Sequence, residues 1–190
     1  MPMTTTHALV PLAVAVAVAR KPVAWKLIIA ASVAAAAPDL DGLAHHLFGL
    51  PTTSIYSHRG AAHSLFAAIL AGLIAATFHK RLGTRPLTAG VIIFAAMASH
   101  GALDMMTDSG RPVAYLWPLS SARLFADWRP IHTSPVHMAH LVAQSFERLE
   151  LELRELIIPM FAIAFGVRGI RNLFDNRGMN RIRPTPPRRT

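Results

Sequence analysis

Pro86-Leu-Thr-Ala-Gly-Val-Ile-Ile-Phe-Ala-Ala-Met-Ala-Ser-His100-Gly-Ala-Leu-Asp104-Met-Met106 is the stretch on which the fold turns. It is the one apolar run near the ~20 residues that a helix needs to cross a hydrocarbon core. Its last turns carry a histidine and an aspartate four residues apart, which a helix points from one face. Each is costly in lipid unless paired or functional. An imidazole and a carboxylate at that spacing can share a metal ion. Standing alone, they would read as a hydrogen-bonded structural pair. They do not stand alone.

Working outward, Ser64–Phe78 is a second apolar run, closed by His79-Lys80-Arg81 and Gly83. Pro22–Ala37 is another, ended by Pro38, because a proline disfavours helix at the residue before it. Ala8–Ala19 opens at His7 and closes at Arg20-Lys21-Pro22. A secretory signal carries its charge before the apolar run. Here the charge follows, which favours a retained helix with its N-terminus outside. Leu156–Val167 is the fifth run. Before it, Leu141, Val142, Phe146, Leu149, Leu153 and Leu156 recur at helical spacing, so Val136–Leu156 reads as an amphipathic helix. Thr107–Pro135 is broken by prolines and reads as a long irregular segment of the kind that tends to be functional.

The expected fold is all-α: a polytopic membrane bundle of four to five short transmembrane helices plus the amphipathic helix. It occupies 1–170 as one domain, and 171–190 is expected to be a basic disordered tail. Several runs hold only 11 to 16 apolar residues, so a soluble helical domain is the competing architecture.

Composition and charge decide between them. The chain has 190 residues, 53% hydrophobic and only 15% charged, with mean hydropathy +0.38. Soluble domains carry about 25% charged residues. The absence of cysteine excludes disulfides and thiolate metal sites. A net charge of +9 suggests nucleic acid in a soluble protein. Over five passes, however, 13 of the 19 basic residues fall on one side, including Arg20, Lys21, Lys26, Lys80, Arg81 and Arg85. The positive-inside rule makes that side cytoplasmic, with the C-terminus. Membrane lipids are therefore the expected partners and nucleic acid is not; oligomeric state stays open. The expected location is a bacterial inner membrane.

The same alternation gathers three polar clusters on the extracytoplasmic face. Asp39 and Asp41 follow the second helix, and Asp41 has a competing role as a helix cap. His58 and His63 flank Gly60, whose freedom lets the chain turn tightly. His100 and Asp104 complete the set, with His7 on the same face, where an interfacial histidine is the plain alternative. Oxygen and imidazole donors suit zinc, manganese or iron(II) better than calcium, with zinc the first expectation and manganese the second. The metal candidates are thus His7, Asp39, Asp41, His58, His63, His100 and Asp104, enough for one or two ions. Bound metal would lower the pKa of a water to near 7 for hydrolysis, with Asp39, His58 and Asp104 closest to the chemistry. Arg59, Arg123 and Arg129 could clamp an anionic or phosphorylated substrate. His45, His46, His132, His137 and His140 are weaker candidates, and His79 reads as solvated. No serine-hydrolase elbow, Walker A loop or His-Glu-x-x-His occurs.

Pro38-Asp39-Leu40-Asp41, His58-Arg59-Gly60-x-x-His63-Ser64, Ser99-His100-x-x-x-Asp104-x-x-Thr107-x-x-Gly110 and Leu116-Trp117-Pro118 occur in that order. Over residues 5 to 160 this resembles the YdjM-like family of bacterial inner-membrane proteins, described as metal-dependent hydrolases. Trp128–Ile131, Ser134-Pro135, and Glu155 with Pro159 match a subset of that family. The resemblance implies that Glu155 is a further ligand or base; an exposed helix carboxylate is its plain alternative. It also implies distant similarity to zinc phospholipase C and P1 nuclease, hence phosphoester hydrolysis by analogy. The alternative function is a non-enzymatic membrane protein that binds or transports a metal or ion.

Overall fold

The computed structural model describes residues 4–132 and 149–182. The elements are α1 (Thr4–Val18), α2 (Trp25–Ala36), α3 (Leu40–Phe48), α4 (Leu65–Thr77), α5 (Pro86–Met105) and α6 (Ile158–Ile182). A π-helical turn, Leu153–Ile157, leads into α6. Among the described residues there is no strand, only two isolated bridges, Thr107 with Ile131 and Val113 with Leu124.

Local chemistry sets the helix ends. Proline opens α5, where its missing N–H costs nothing. Ser64 caps α4 by accepting from the Ala67 amide at 3.1 Å. Helix α2 stops ahead of Pro38 and tightens into a 3-10 turn, Ala37–Asp39. The irregular segment is real from Thr107 to His132.

The helices meet through small side chains. Ala31 and Ala35 of α2 pack against Ile93 and Ala96 of α5 as a buried cluster. A Cβ on Gly72 of α4 would lie 2.8 Å from the Gly90 carbonyl of α5. Close backbone approach of this kind is how helices associate in lipid. The outward faces are apolar instead: Val14, Ile29, Leu73, Val91, Ile163 and Phe165 are all exposed. Such a surface suits hydrocarbon rather than water.

Helix α5, with 20 residues, is the one described helix long and apolar enough to cross a membrane; α1 and α4 are apolar but shorter. The other correction lies at the C-terminus. Backbone from Arg168 to Ile182 is helical, not irregular. The arginine-rich stretch has no proline before Pro184, so nothing in the backbone interrupts the helix. Most of the expected amphipathic helix lies outside the described residues; its end, 149–152, is helical.

Direction matters most for function. The starts of α1 and α4 meet the ends of α2 and α5 at one rim. Thr4 of α1 donates to Asp39 beyond α2 at 2.6 Å, and Thr6 donates to Glu152 ahead of α6. At the far end Arg171 of α6 reaches the Ala17 carbonyl at 2.8 Å.

Candidate metal centre

Each ligand stands where a helix begins or ends. The 3-10 turn after α2 presents Asp39, and the first turn of α3 presents Asp41. His58 and His63 come from the loop ahead of α4. That loop reverses at Arg59, a non-glycine residue at φ 63°, and Gly60. A Cβ on Gly60 would sit 1.9 Å from the Ile55 carbonyl, so only glycine fits. Gly101 plays a similar part in α5: a Cβ there would lie 2.4 Å from the His63 carbonyl. Its absence lets the loop lie against the helix beside His100.

Four donor atoms converge: Asp39 Oδ1, His63 Nε2, His100 Nε2 and Asp104 Oδ2. The two imidazole nitrogens are 3.1 Å apart. Asp39 Oδ1 is 3.3 Å from His100 and 3.8 Å from His63. Asp104 Oδ2 is 3.5 Å from His63 and 3.8 Å from His100. Ligands on tetrahedral zinc, bound at 2.0–2.1 Å, stand about 3.3 Å from one another. The residues present therefore fit a divalent ion in spacing and in donor type. Asp39 Oδ1 and Asp104 Oδ1 are also buried without a hydrogen-bond partner, a costly state that a cation would relieve, while Asp104 Oδ2 already faces the Arg59 guanidinium at 3.0 Å.

The rings are aimed from behind. His100 Nδ1 donates to the Ala35 carbonyl at 2.6 Å, which leaves Nε2 as the free lone pair. His63 Nδ1 faces Asp41 Oδ2 at 3.0 Å, a charge contact slightly off-line for a hydrogen bond. With both outer nitrogens so engaged, two lone pairs would face each other across 3.1 Å unless something positive lies between them.

In the metal-free protein that something is a proton. Burial alone lowers the His63 imidazole, but the facing Asp39 and Asp41 carboxylates outweigh it and raise it to about 9. Burial raises Asp39, yet the imidazoles of His100 and His63 hold it well below the usual carboxylate range. Asp41 is likewise pushed up by burial and held down overall by His58 and His63. A metal must displace the His63 proton below pH 9 and need not above it. Metal affinity should therefore rise about tenfold per pH unit between pH 7 and 9 and then level off, each ion releasing one proton. Calorimetry in buffers of different ionisation enthalpy measures that proton; a pH-independent affinity would contradict the arrangement.

The other expected residues take distinct places. His58 Nδ1 meets Asp41 Oδ1 at 2.8 Å, forming a group of Asp41, His58 and His63 beside the four-atom cluster. Its contacts are hydrogen-bond lengths, shorter than a shared ion imposes. His7 stacks on His100 at 3.8 Å with Nε2 3.6 Å from Asp104, next to the cluster and not within it.

Of the three arginines expected to clamp a substrate, Arg59 and Arg123 are taken up by the protein itself. Arg59 is fully buried. Its Nε lies 3.0 Å from Asp104 Oδ2, and its other nitrogens reach Thr107 and the Arg111 carbonyl. It stands behind the carboxylate, unable to meet a substrate. Arg123 binds the Ser54 carbonyl at 2.8 Å and the Arg59 carbonyl at 3.1 Å, tying down the loop. Arg129 is exposed, stacked over Phe125. Glu155 is exposed too, and Glu152 is the carboxylate turned inward, a residue the sequence reading passed over. The signal was available: Glu152 falls between Leu149 and Leu156 on the apolar stripe. His132 pairs with Asp108 at the surface, and His79 contacts the Thr84 carbonyl at the far end. Side chains at 43–46, with His45 and His46, and residues 137 and 140 lie outside the description.

Comparison with known proteins follows the same residues. The YdjM inner membrane protein family matches over residues 1–173. The inner membrane protein YbcI of Escherichia coli (strain K12) is 34% identical over 140 residues, covering 71% of this chain and 78% of that one. No solved structure matches the chain. With the match running through every element that carries the cluster, the chain belongs to the YdjM family of inner membrane proteins and resides in the bacterial inner membrane.

Proposed function

We propose that the protein is a multi-pass membrane hydrolase that cleaves phosphoesters with one divalent ion, zinc or manganese. The ion is held by Asp39, His63, His100 and Asp104 at the extracytoplasmic face. The observation that carries this is the convergence of those four donors, two of them carboxylates with unpartnered buried oxygens. The orientation rests on charge: Arg20, Lys21, Lys26, Lys80, Arg81 and Arg85 lie toward the ends of the helices opposite the cluster. Helices α1, α2 and α4 reach across only when their polar ends are counted.

A bound ion supplies Lewis acidity and a water that ionises near pH 7. The chain supplies the rest. His100 and His63 present fixed lone pairs. Arg59 orients Asp104. His58 is the most accessible member of the group, its side chain 22% exposed, with Asp41 holding its Nδ1. That places the His58 imidazole at the open edge, where it is the candidate to pass a proton. The preference for phosphoesters comes from the family resemblance.

Detergent-purified, zinc- or manganese-loaded protein assayed on phosphomonoesters and diesters tests the proposal. His58→Ala should lower kcat by roughly 100-fold or more, as loss of a general acid–base does, with metal content unchanged. A loaded wild-type protein that turns over none of the panel would end the hydrolase reading. Complete burial of His63, His100 and Asp104 favours a second reading, a metal-holding or transporting protein without chemistry. That reading predicts full metal occupancy, no turnover, and metal flux in vesicles.

A further inference from the structure

An apolar cavity of about 520 Å³ lies between α1, α2 and α5. Val10, Val14, Leu27, Ala31 and Ala96 line it, and Ser99, the neighbour of His100, marks one end. Val10 sits one helical turn beyond His7. Val14 and Val18 are more than half exposed, so the cavity opens sideways as a groove. Along α1 it runs from Val10 to Val18, a rise of roughly 12 Å. Half of the ~30 Å hydrocarbon core is one leaflet. The groove is thus about one leaflet deep, begins one helical turn from His7 and at Ser99, next in sequence to His100, and runs toward Arg20.

We propose that this groove seats one hydrocarbon chain of a phosphate-bearing membrane lipid, whose headgroup meets the Asp39–His63–His100–Asp104 cluster. The proposal rests on the phosphoester reading of that cluster and names its substrate class. Three observations favour a lipid. The volume lies within the range of ligand pockets, about 300–1,000 Å³. The walls are almost wholly apolar, which a water-soluble phosphoester would not need. The protein resides in a membrane, so hydrocarbon is the medium at the groove's open side. Bulk lipid would fill any crevice, but it would show no headgroup preference; a groove that ends at a cation site should.

The test uses full-length protein in phosphatidylcholine nanodiscs with two photoreactive probes: phosphatidic acid and diacylglycerol, each with a diazirine in one acyl chain. Phosphatidic acid should label peptides of α1, α2 and α5 lining the groove several-fold more than diacylglycerol does. The preference should vanish in His63→Ala. Ala95→Trp, which fills the groove from an exposed position, should cut that labelling about tenfold and leave metal content intact; Ala15→Phe is the second filler, should the first fail to fold. Labelling that ignores the headgroup, or spreads evenly over the lipid-facing helices, overturns the proposal. Phosphatidic acid held in the groove yet never cleaved keeps the docking and removes the hydrolase reading. Cleavage of a soluble aryl phosphate, with no groove labelling, does the reverse.

Discussion

His100→Ala is expected to lower divalent-metal affinity by more than about 100-fold, since losing even an outer partner of a metal ligand costs 10–100-fold. His100 is the best-determined donor in the cluster. Its Nδ1 is committed to the Ala35 carbonyl at 2.6 Å, so its ring cannot turn away. Its Nε2 faces both His63 and Asp39. Alanine removes the donor and leaves Asp39 and Asp104 without the ligand that stands between them. Metal analysis of the detergent-purified variant beside His63→Ala measures the effect. Wild-type metal content in both variants would falsify the site outright, whatever the enzyme assays show. Glu155→Ala is the informative control: its carboxylate is exposed, so metal content should stay at the wild-type level.

Arg59→Met should destabilise the metal-free protein by about 3–5 kcal/mol, the usual cost of leaving one member of a buried ion pair behind. Arg59 and Asp104 are both fully buried, 3.0 Å apart. Methionine matches much of the volume and tolerates φ 63° no better and no worse than arginine, so backbone strain cancels from the comparison. The loss should shrink when metal is restored, because the cation then neutralises Asp104 in place of the guanidinium. Unfolding by denaturant in detergent, with and without chelator, reads both quantities. Equal losses in the two conditions would mean that Asp104 does not share its charge with the ion. Arg59→Lys should not rescue, since a single ammonium cannot serve Asp104, Thr107 and the Arg111 carbonyl together.

Much of this arrangement was legible in the amino-acid order. Apolar runs bounded by proline, glycine and charge marked α1, α2, α4 and α5 to within a few residues. Alternating helix direction alone places Asp39, His63, His100 and Asp104 on one rim. The arginines were harder to place. A sequence shows that Arg59 sits between two histidines but not that a left-handed backbone turns it under Asp104. Arg123 acts through carbonyls of residues more than sixty positions away, which no spacing rule captures. Glu152 stands on the helical stripe between Leu149 and Leu156, whereas the family resemblance points to the exposed Glu155. The helical stretch after Arg168 was missed because composition argued for disorder where backbone geometry raised no obstacle.

The alanine seam joining α2 to α5 has a consequence for ion choice. Ala31, Ala35 and Ala96 leave Ile93 as the one long side chain in the buried cluster, so the gap between these two helices is set largely by close backbone approach. Asp39 hangs from the end of one and His100 from the end of the other. The jaws of the site therefore behave as a caliper with a preset opening, and cation radius becomes a property written into the helix pair rather than into the ligands.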